Sequence, residues 1–265
     1  MLITSLVHDP KAPTTERPIA LPPDFGRSLA MDVIPHSSNH LLAALSAMDF
    51  EFLRPHLKTV ELVQETVLVG ASDRLTQVFF PHSGVISLVV SLAGGGRVEV
   101  ASVGHDSVFG GSAALDGGIS LTDAIIQLPG IASALDVEIL RTAAEQSIRF
   151  RTTLIRHEQA LFAQAQQSAA CNAMHPAEAR LARWLLRMHD LSGQDKLHLT
   201  QDFLAQMIGV QRNSVSTVAH TLQQAGIIRY SRGNIEITNL AALKEASCEC
   251  YQAVNTQYNK LLHDD

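Results

Sequence analysis

The tightest constraint on how this chain folds lies between Leu199 and Leu222, in the stretch LTQDFLAQMIGVQRNSVSTVAHTL. Two short helical patterns meet there at Gly209. In the first, Leu204 and Ile208 sit four apart on one face with the small Ala205 beside them; in the second, Val215, Val218 and Leu222 repeat at three and four. A glycine at the junction accepts the positive φ of a sharp helix–helix corner without a Cβ penalty, and Val210 is placed to plug that corner. Thr200 is positioned as an N-cap, with Asp202 in the first turn. The pattern is that of a helix-turn-helix.

Burying Val215, Val218 and Leu222 turns Arg212, Asn213, Ser216, Thr217 and His220 outward on the opposite side of the second helix. An amphipathic hairpin with a solvated face would also have such a side. A major-groove reader requires it, with short polar groups near the helix N-terminus and an arginine able to engage a guanine edge at two points. The segment beyond the second helix favours the groove reader. After the helix stop at Ala225-Gly226, two apolar runs, Ile227 to Tyr230 and Ile235 to Ile237, flank the turn Ser231-Arg232-Gly233-Asn234, as in the wing of a winged helix.

Upstream, residues 1 to 38 hold six of the ten prolines and show no periodicity, so a flexible tail is expected. Leu41, Leu42, Leu45, Met48, Phe52 and Leu53 predict a short helical segment that packs on the next domain. From about Val60 to Val137 short β-type runs recur between glycine and polar turns: 60–63, 66–69, 77–80, 85–90, 98–101 and 124–128. Their spacing fits a double-stranded jelly roll, with Gly94-Gly95-Gly96 as a hairpin tip. Beyond that the pattern turns helical, and between Ile131 and Ser192 there is no glycine and one proline, Pro176. A helix of about seven turns is predicted from Ser147 to Asn172, with a stripe of Leu154, Leu161, Ala165 and Ser168 whose simplest partner is a second copy of the same helix. Asn172 to Pro176 then reads as a hinge, with Pro176 at a first helical position. The helix carrying Leu181, Trp184, Leu185 and Met188 comes next, Trp184 being read as core.

The predicted fold class is therefore α+β, divided into a tail (1–38), a β-roll (39–140), a long helix and hinge (141–174), a winged helix-turn-helix (175–243) and a C-terminal helix or tail (244–265). The formal net charge of −6 is unfavourable for binding a polyanion. From His175 to Ile235, however, seven basic residues (Arg180, Arg183, Arg187, Lys196, Arg212, Arg229, Arg232) face four acidic ones, which is +3 and leaves −9 elsewhere. Salt-sensitive binding to nucleic acid is the consequence. The uncharged stretch Val78 to Gly96 contains Pro81, His82, Ser83 and four glycines and does not read as a membrane span. No leader pattern is visible, and three cysteines do not make a secreted framework, so a reducing cytoplasm is expected.

This order of parts resembles the Crp/Fnr (cyclic-AMP receptor protein / fumarate-nitrate regulator) family of bacterial transcription factors. Leu199-Thr200, Leu204 to Val210, Arg212, Ser214-Val215-Ser216, Leu222 and the wing through Ile237 carry the likeness. The resemblance implies a homodimer on a pseudo-palindromic site in double-stranded DNA, with an N-terminal sensory roll; RNA polymerase is a candidate further partner. Arg212, Asn213, Ser216 and Thr217 fall on the family's base-reading positions, Thr200, Gln201 and Ser214 on phosphate positions, with Gln211, His220 and Arg232 as further DNA-facing candidates. The dimer interface is assigned to Leu154, Leu161, Ala165 and Ser168.

Nucleotide-binding members carry a Gly-Glu pair and an Arg-Ser or Arg-Thr pair in the roll. Here Gly111 follows Gly110 where the glutamate would stand, and Leu121 precedes Thr122 where the arginine would stand. A cyclic phosphate would be buried without a counter-charge, so the ligand is expected to be something other than a cyclic nucleotide; a regulator with an altered nucleotide site is the alternative. An iron–sulfur cluster of the family's kind needs thiolates that the N-terminal region lacks. His82 and His105 form no metal-ligand spacing; no metal, cofactor or catalytic residue is assigned. Cys171, Cys248 and Cys250 are read as ordinary thiols, with a redox switch as the alternative. A jelly-roll metalloenzyme with an appended DNA-binding module is the reading from another class.

Overall fold

The computed structural model describes residues 38–231 and 233–262; the tail expected at 1–38 lies outside these but for Ser38. Two short helices open the described chain, α1 (His40–Ala43) and α2 (Ala47–Leu53). Asn39 fixes their entry. Its buried side chain accepts from Leu42 N and donates to the carbonyls of Pro81 and Ser107. Leu41, Leu42 and Leu53 enter the core as expected, whereas Met48 is exposed.

The roll consists of two antiparallel sheets. One has the order β2-β6-β4-β5, from β2 (Val67–Val69), β4 (Val85–Ser91), β5 (Arg97–Val103) and β6 (Asp123–Leu128); the other has the order β1-β7-β3, from β1 (Lys58–Leu62), β3 (Gln77–Pro81) and β7 (Gly130–Asp136). Between β4 and β5 the chain turns at Gly94–Gly96, with Gly95 at φ +83°, the hairpin tip the sequence indicates. Six of the seven strands fall on the apolar runs. The seventh, β7, lies inside the β-rich stretch that ends at Val137 but is not one of the runs the sequence singles out. Its Ala132, Ser133 and Ala134 have little β preference of their own. They are buried because β1 and β3 pair with the strand on both sides.

Helix α3 (Val137–Gln146) leads into α4 (Ile148–Met174), which Ser147 caps by accepting from Phe150 N. This 27-residue helix lies against the roll and buries Phe150, Leu154, His157, Ala160, Gln164, Ser168 and Cys171 within its own chain. His175 and Pro176 then take extended backbone, and α5 (Ala177–Ser192) begins; Pro176 is its N-cap rather than its first helical residue.

The C-terminal lobe combines α5, α6 (Gln201–Ile208) and α7 (Arg212–Gln224) with a sheet ordered β8-β10-β9, from β8 (Lys196–His198), β9 (Ile228–Ser231) and β10 (Asn234–Ile237). Two helices complete the described chain, α8 (Leu240–Ala246) and α9 (Cys250–Leu262), the latter packed along α4. The core of this lobe continues into the outer face of the roll, where Val85, Val89, Ile125 and Leu128 meet the apolar side of α5 and α6. No helix among the described residues is long and apolar enough to cross a membrane.

Candidate nucleic-acid interface

Helix α6 starts and stops where its sequence dictates. Thr200 caps it by accepting from Phe203 N, and Gly209 ends it at φ +60°, a conformation that a side chain would strain although a Cβ there would meet nothing closer than 3.6 Å. Leu204, Ala205, Met207 and Ile208 are buried, and Val210 packs half-buried in the corner. Leu222, Val218, Ala219 and Val215 then hold α7 against α5 and β9. The corner is thus fixed by apolar burial on both helices, and the polar side of α7 is left outside.

On that side Arg212, Asn213, Ser214, Ser216, Thr217 and His220 are all exposed, as is Gln211, whose backbone forms the N-cap. Gln201 Nε2 donates to Ser216 Oγ at 2.8 Å, so the first turn of α6 braces the middle of α7. Arg212 lies 3.3 Å from Asp202, with both side chains more than half exposed. So loose a pair leaves the guanidinium available to another acceptor. Thr200 is half-buried and engaged in its cap. The expectation for Arg232 falls outside the described residues; the strands on either side of it form the wing, with Arg229 bonded to Glu236 at 2.8 Å.

The charge count of the sequence is redistributed by the fold. Three of its seven basic residues are buried. Arg180 donates to Asn172, and Arg187 pairs with Asp106 at 2.8 Å and lies over the Tyr258 ring. Arg183 sits near Glu99 and Cys171. Of the counted residues, Lys196, Arg212 and Arg229 remain at the described surface. Trp184, core as expected, donates its indole N–H to Glu99 Oε1 of β5 at 2.9 Å, and Ser87 donates to the other oxygen. Burial raises Glu99 to about 7 against the pull of these bonds and of Arg183 and Arg187.

In the roll, a cavity of about 220 Å³ opens where the nucleotide-type signature is altered. Gly110, Leu121 and Thr122 line it together with Leu75, Phe109 and Leu161. Gly111 stands behind it, and a Cβ there would come within 3.0 Å of Glu158 Oε1. Glu158 is the one charged residue among the described lining, so the wall offers an anion no cation.

The stripe assigned to a dimer is corrected in part. Leu154 and Ser168 face the chain's own core and are 0% and 4% exposed, while Leu161 and Ala165 are half-buried beside the cavity. The face of α4 that its own chain leaves uncovered carries Ile148, Ile155 and Phe162, at 83%, 42% and 65% exposure and seven residues apart. His82 and His105 have structural partners, Ser133 and the Leu191 carbonyl.

One grouping escaped the sequence reading. Cys171 and His175, a turn apart at the end of α4, meet Cys248 and Cys250 from the α8–α9 connection, and their ligand atoms all lie within 4.8 Å of one another. Burial pushes the Cys171 thiol up to about 12. The signal was a Cys-x₃-His spacing facing a Cys-x-Cys, which the three thiols considered without the histidine do not reveal.

The profile of the Crp-like helix-turn-helix domain family matches residues 179–246. No curated protein matches the chain. Among solved structures, FixK2 from Bradyrhizobium japonicum is 18% identical, with TM-score 0.61, over 72% of this chain and 98% of its own. The c-di-GMP-responsive global regulator CLP of Xanthomonas campestris is 15% identical, with TM-score 0.58, over 72% and 99%. A Crp/Fnr-family transcriptional regulator of Thermus thermophilus is 23% identical, with TM-score 0.54, over 71% and 97%.

Proposed function

We propose, from the Crp-like helix-turn-helix domain at 179–246 and a fold shared with Crp/Fnr regulators, that this chain is a Crp/Fnr-family protein and a homodimeric, sequence-specific regulator of transcription. The observation that carries this reading is the outward row Arg212, Asn213, Ser216, Thr217 and His220 on a helix whose other side is wholly buried. A rigid corner presents that row at the surface, as base-edge reading requires. Arg212 reads a base edge; Lys196 and Arg229 contact phosphate. The two copies pair through the α4 face of Ile148, Ile155 and Phe162, which places two α7 helices on the half-sites of one pseudo-palindrome.

The roll acts as the sensory domain, and its ligand is neither a cyclic mononucleotide nor c-di-GMP, the signal named for the Xanthomonas regulator. Each carries buried phosphate charge, and the cavity offers Glu158 in place of a cation. An uncharged, largely apolar small molecule fits the wall that is present. The test is selection of a binding site from random duplex DNA, followed by titration of that site with and without cyclic AMP, cyclic GMP and c-di-GMP. Enrichment of a two-fold motif bound equally well in all four conditions is expected. Absence of any enriched motif overturns the DNA-binding reading, and a nucleotide-dependent gain in affinity overturns the reading of the roll.

A further inference from the structure

Four side chains of the kinds that bind soft metals converge where the long helix ends and the hinge begins. Cys171 and His175 lie one helical turn apart at the C-terminal end of α4; Cys248 and Cys250 come from the connection into α9. Cys171 Sγ and Cys248 Sγ are 3.5 Å apart, and Cys250 Sγ is 3.5 Å from His175 Nδ1. A tetrahedron with zinc–sulfur bonds of about 2.3 Å and a zinc–nitrogen bond of about 2.0 Å has edges of roughly 3.5–3.8 Å. Two of the donor separations match these edges and all of them lie within 4.8 Å, close enough for one ion to draw the four donors around it. An iron–sulfur cluster interposes several metals and bridging sulfides between its thiolates and would not fit between donors so close. All three thiols are buried.

We propose that Cys171, His175, Cys248 and Cys250 form a closed, tetrahedral site for a single zinc ion, which fastens the C-terminal segment to the hinge. Soft sulfur and imidazole ligands in this geometry select zinc over calcium or magnesium. Four protein ligands leave no open position, so the site is structural rather than catalytic.

The surroundings are those of a metal-binding histidine and metal-bound thiolates. His175 Nε2 lies 3.1 Å from Glu249 Oε1, which holds the proton on Nε2 and leaves Nδ1 as the donor on the thiol side. Gln167 Nε2 donates to Cys250 Sγ at 3.0 Å. The Cys250 backbone N–H points at Cys248 Sγ, and Arg183 lies beside Cys171. One Zn²⁺ with three thiolates and a neutral imidazole carries a net −1, for which Arg183 is the nearby countercharge. Loading releases three thiol protons to solvent, so affinity rises with pH.

The position gives the site its consequence. His175 is the residue between α4 and Pro176, the N-cap of α5. Helix α9, which starts at Cys250, packs along α4 and also reaches α5, through Tyr251 to Asp190 at 2.7 Å and Tyr258 under Arg187. The ion therefore secures a strap running across both sides of the hinge.

The full chain, purified under reducing conditions, is analysed for metals and acid-labile sulfide, and its cobalt-substituted form is examined by visible spectroscopy. One zinc per chain and the intense d–d bands of tetrahedral, thiolate-bound cobalt are expected. Cys250→Ser and His175→Ala lose the ion, and Glu249→Gln binds zinc about 10- to 100-fold more weakly. Chelation speeds amide exchange in α9 and the hinge while the roll is unaffected. A folded wild-type chain without stoichiometric metal, iron with labile sulfide, or a Cys171–Cys248 disulfide in the native protein would each overturn the proposal. These readouts are independent of DNA, so they stand or fall apart from the regulator reading.

Discussion

Arg212 and Glu99 are held in opposite ways, one exposed and loosely paired, the other buried. Replacing Arg212 by alanine is expected to weaken binding to the selected site by roughly 1–3 kcal/mol and to relax preference at one base position. Fluorescence anisotropy on single-base variants of the site reads both effects, and an unchanged affinity would remove Arg212 from the interface. Glu99 holds a proton in the folded protein at pH values where the unfolded chain has lost it. Its contribution to stability is therefore fully present below the free-glutamate value of 4.5 and declines as pH rises towards about 7. Glu99→Gln keeps the acceptor for Trp184 and never charges. The melting temperature of this variant should match wild type at about pH 4 and exceed it at about pH 8; an equal difference at both would show that the charge is not confined.

At the scale of elements, α4 is asked to satisfy two faces at once. One, through Phe150, Leu154 and His157, is saturated by the roll, with Val108 N–H donating to His157 Nε2 at 3.2 Å. The other is left with Ile148, Ile155 and Phe162 in the solvent. Their seven-residue spacing is what the proposed dimer would use as a helix-pairing seam. Ile155→Asp should therefore convert a dimer into a folded monomer by sedimentation velocity, with unchanged far-ultraviolet dichroism. Leu154→Asp should instead unfold the roll, because Leu154 is wholly buried in its own chain. A dimer that survives Ile155→Asp would transfer the interface elsewhere.

For the whole molecule, the lobes are not beads on a hinge. Val85, Val89, Ile125 and Leu128 of the roll share one core with Trp184, Leu185 and Met207, and the buried arginines of α5 turn inward, Arg183 and Arg187 towards Glu99 and Asp106 of the roll and Arg180 towards Asn172 of α4. That arrangement lowers the count of phosphate-neutralising groups. A protomer with Lys196 and Arg229 on phosphate should show a slope of about −2 in log affinity against log salt, with Arg232 adding up to one more. Lys196→Ala should reduce the slope by about one, whereas a slope of about −6 or steeper per protomer would mean that the α5 arginines emerge on binding.

What the sequence by itself determined is local. The helix-turn-helix needed only the spacing of Leu204, Ile208, Val215, Val218 and Leu222, a cap at Thr200 and a residue free to adopt positive φ at Gly209, all settled within a few turns of chain. Six roll strands were equally legible, because each carries enough β-branched or aromatic residues to declare itself. Tertiary structure decided what depends on partners distant along the chain. The strand at 130–136 exists because two others flank it, and only packing tells Leu154 from Ile155 on one helix. Arginines that count as a basic patch in composition become struts once α5 is docked. Cys171 and Cys248, 77 residues apart, face one another at 3.5 Å because α9 folds back along α4. Periodicity encodes which side of an element is buried, whereas the element that buries it is chosen by long-range packing, on which short-range spacing carries no information.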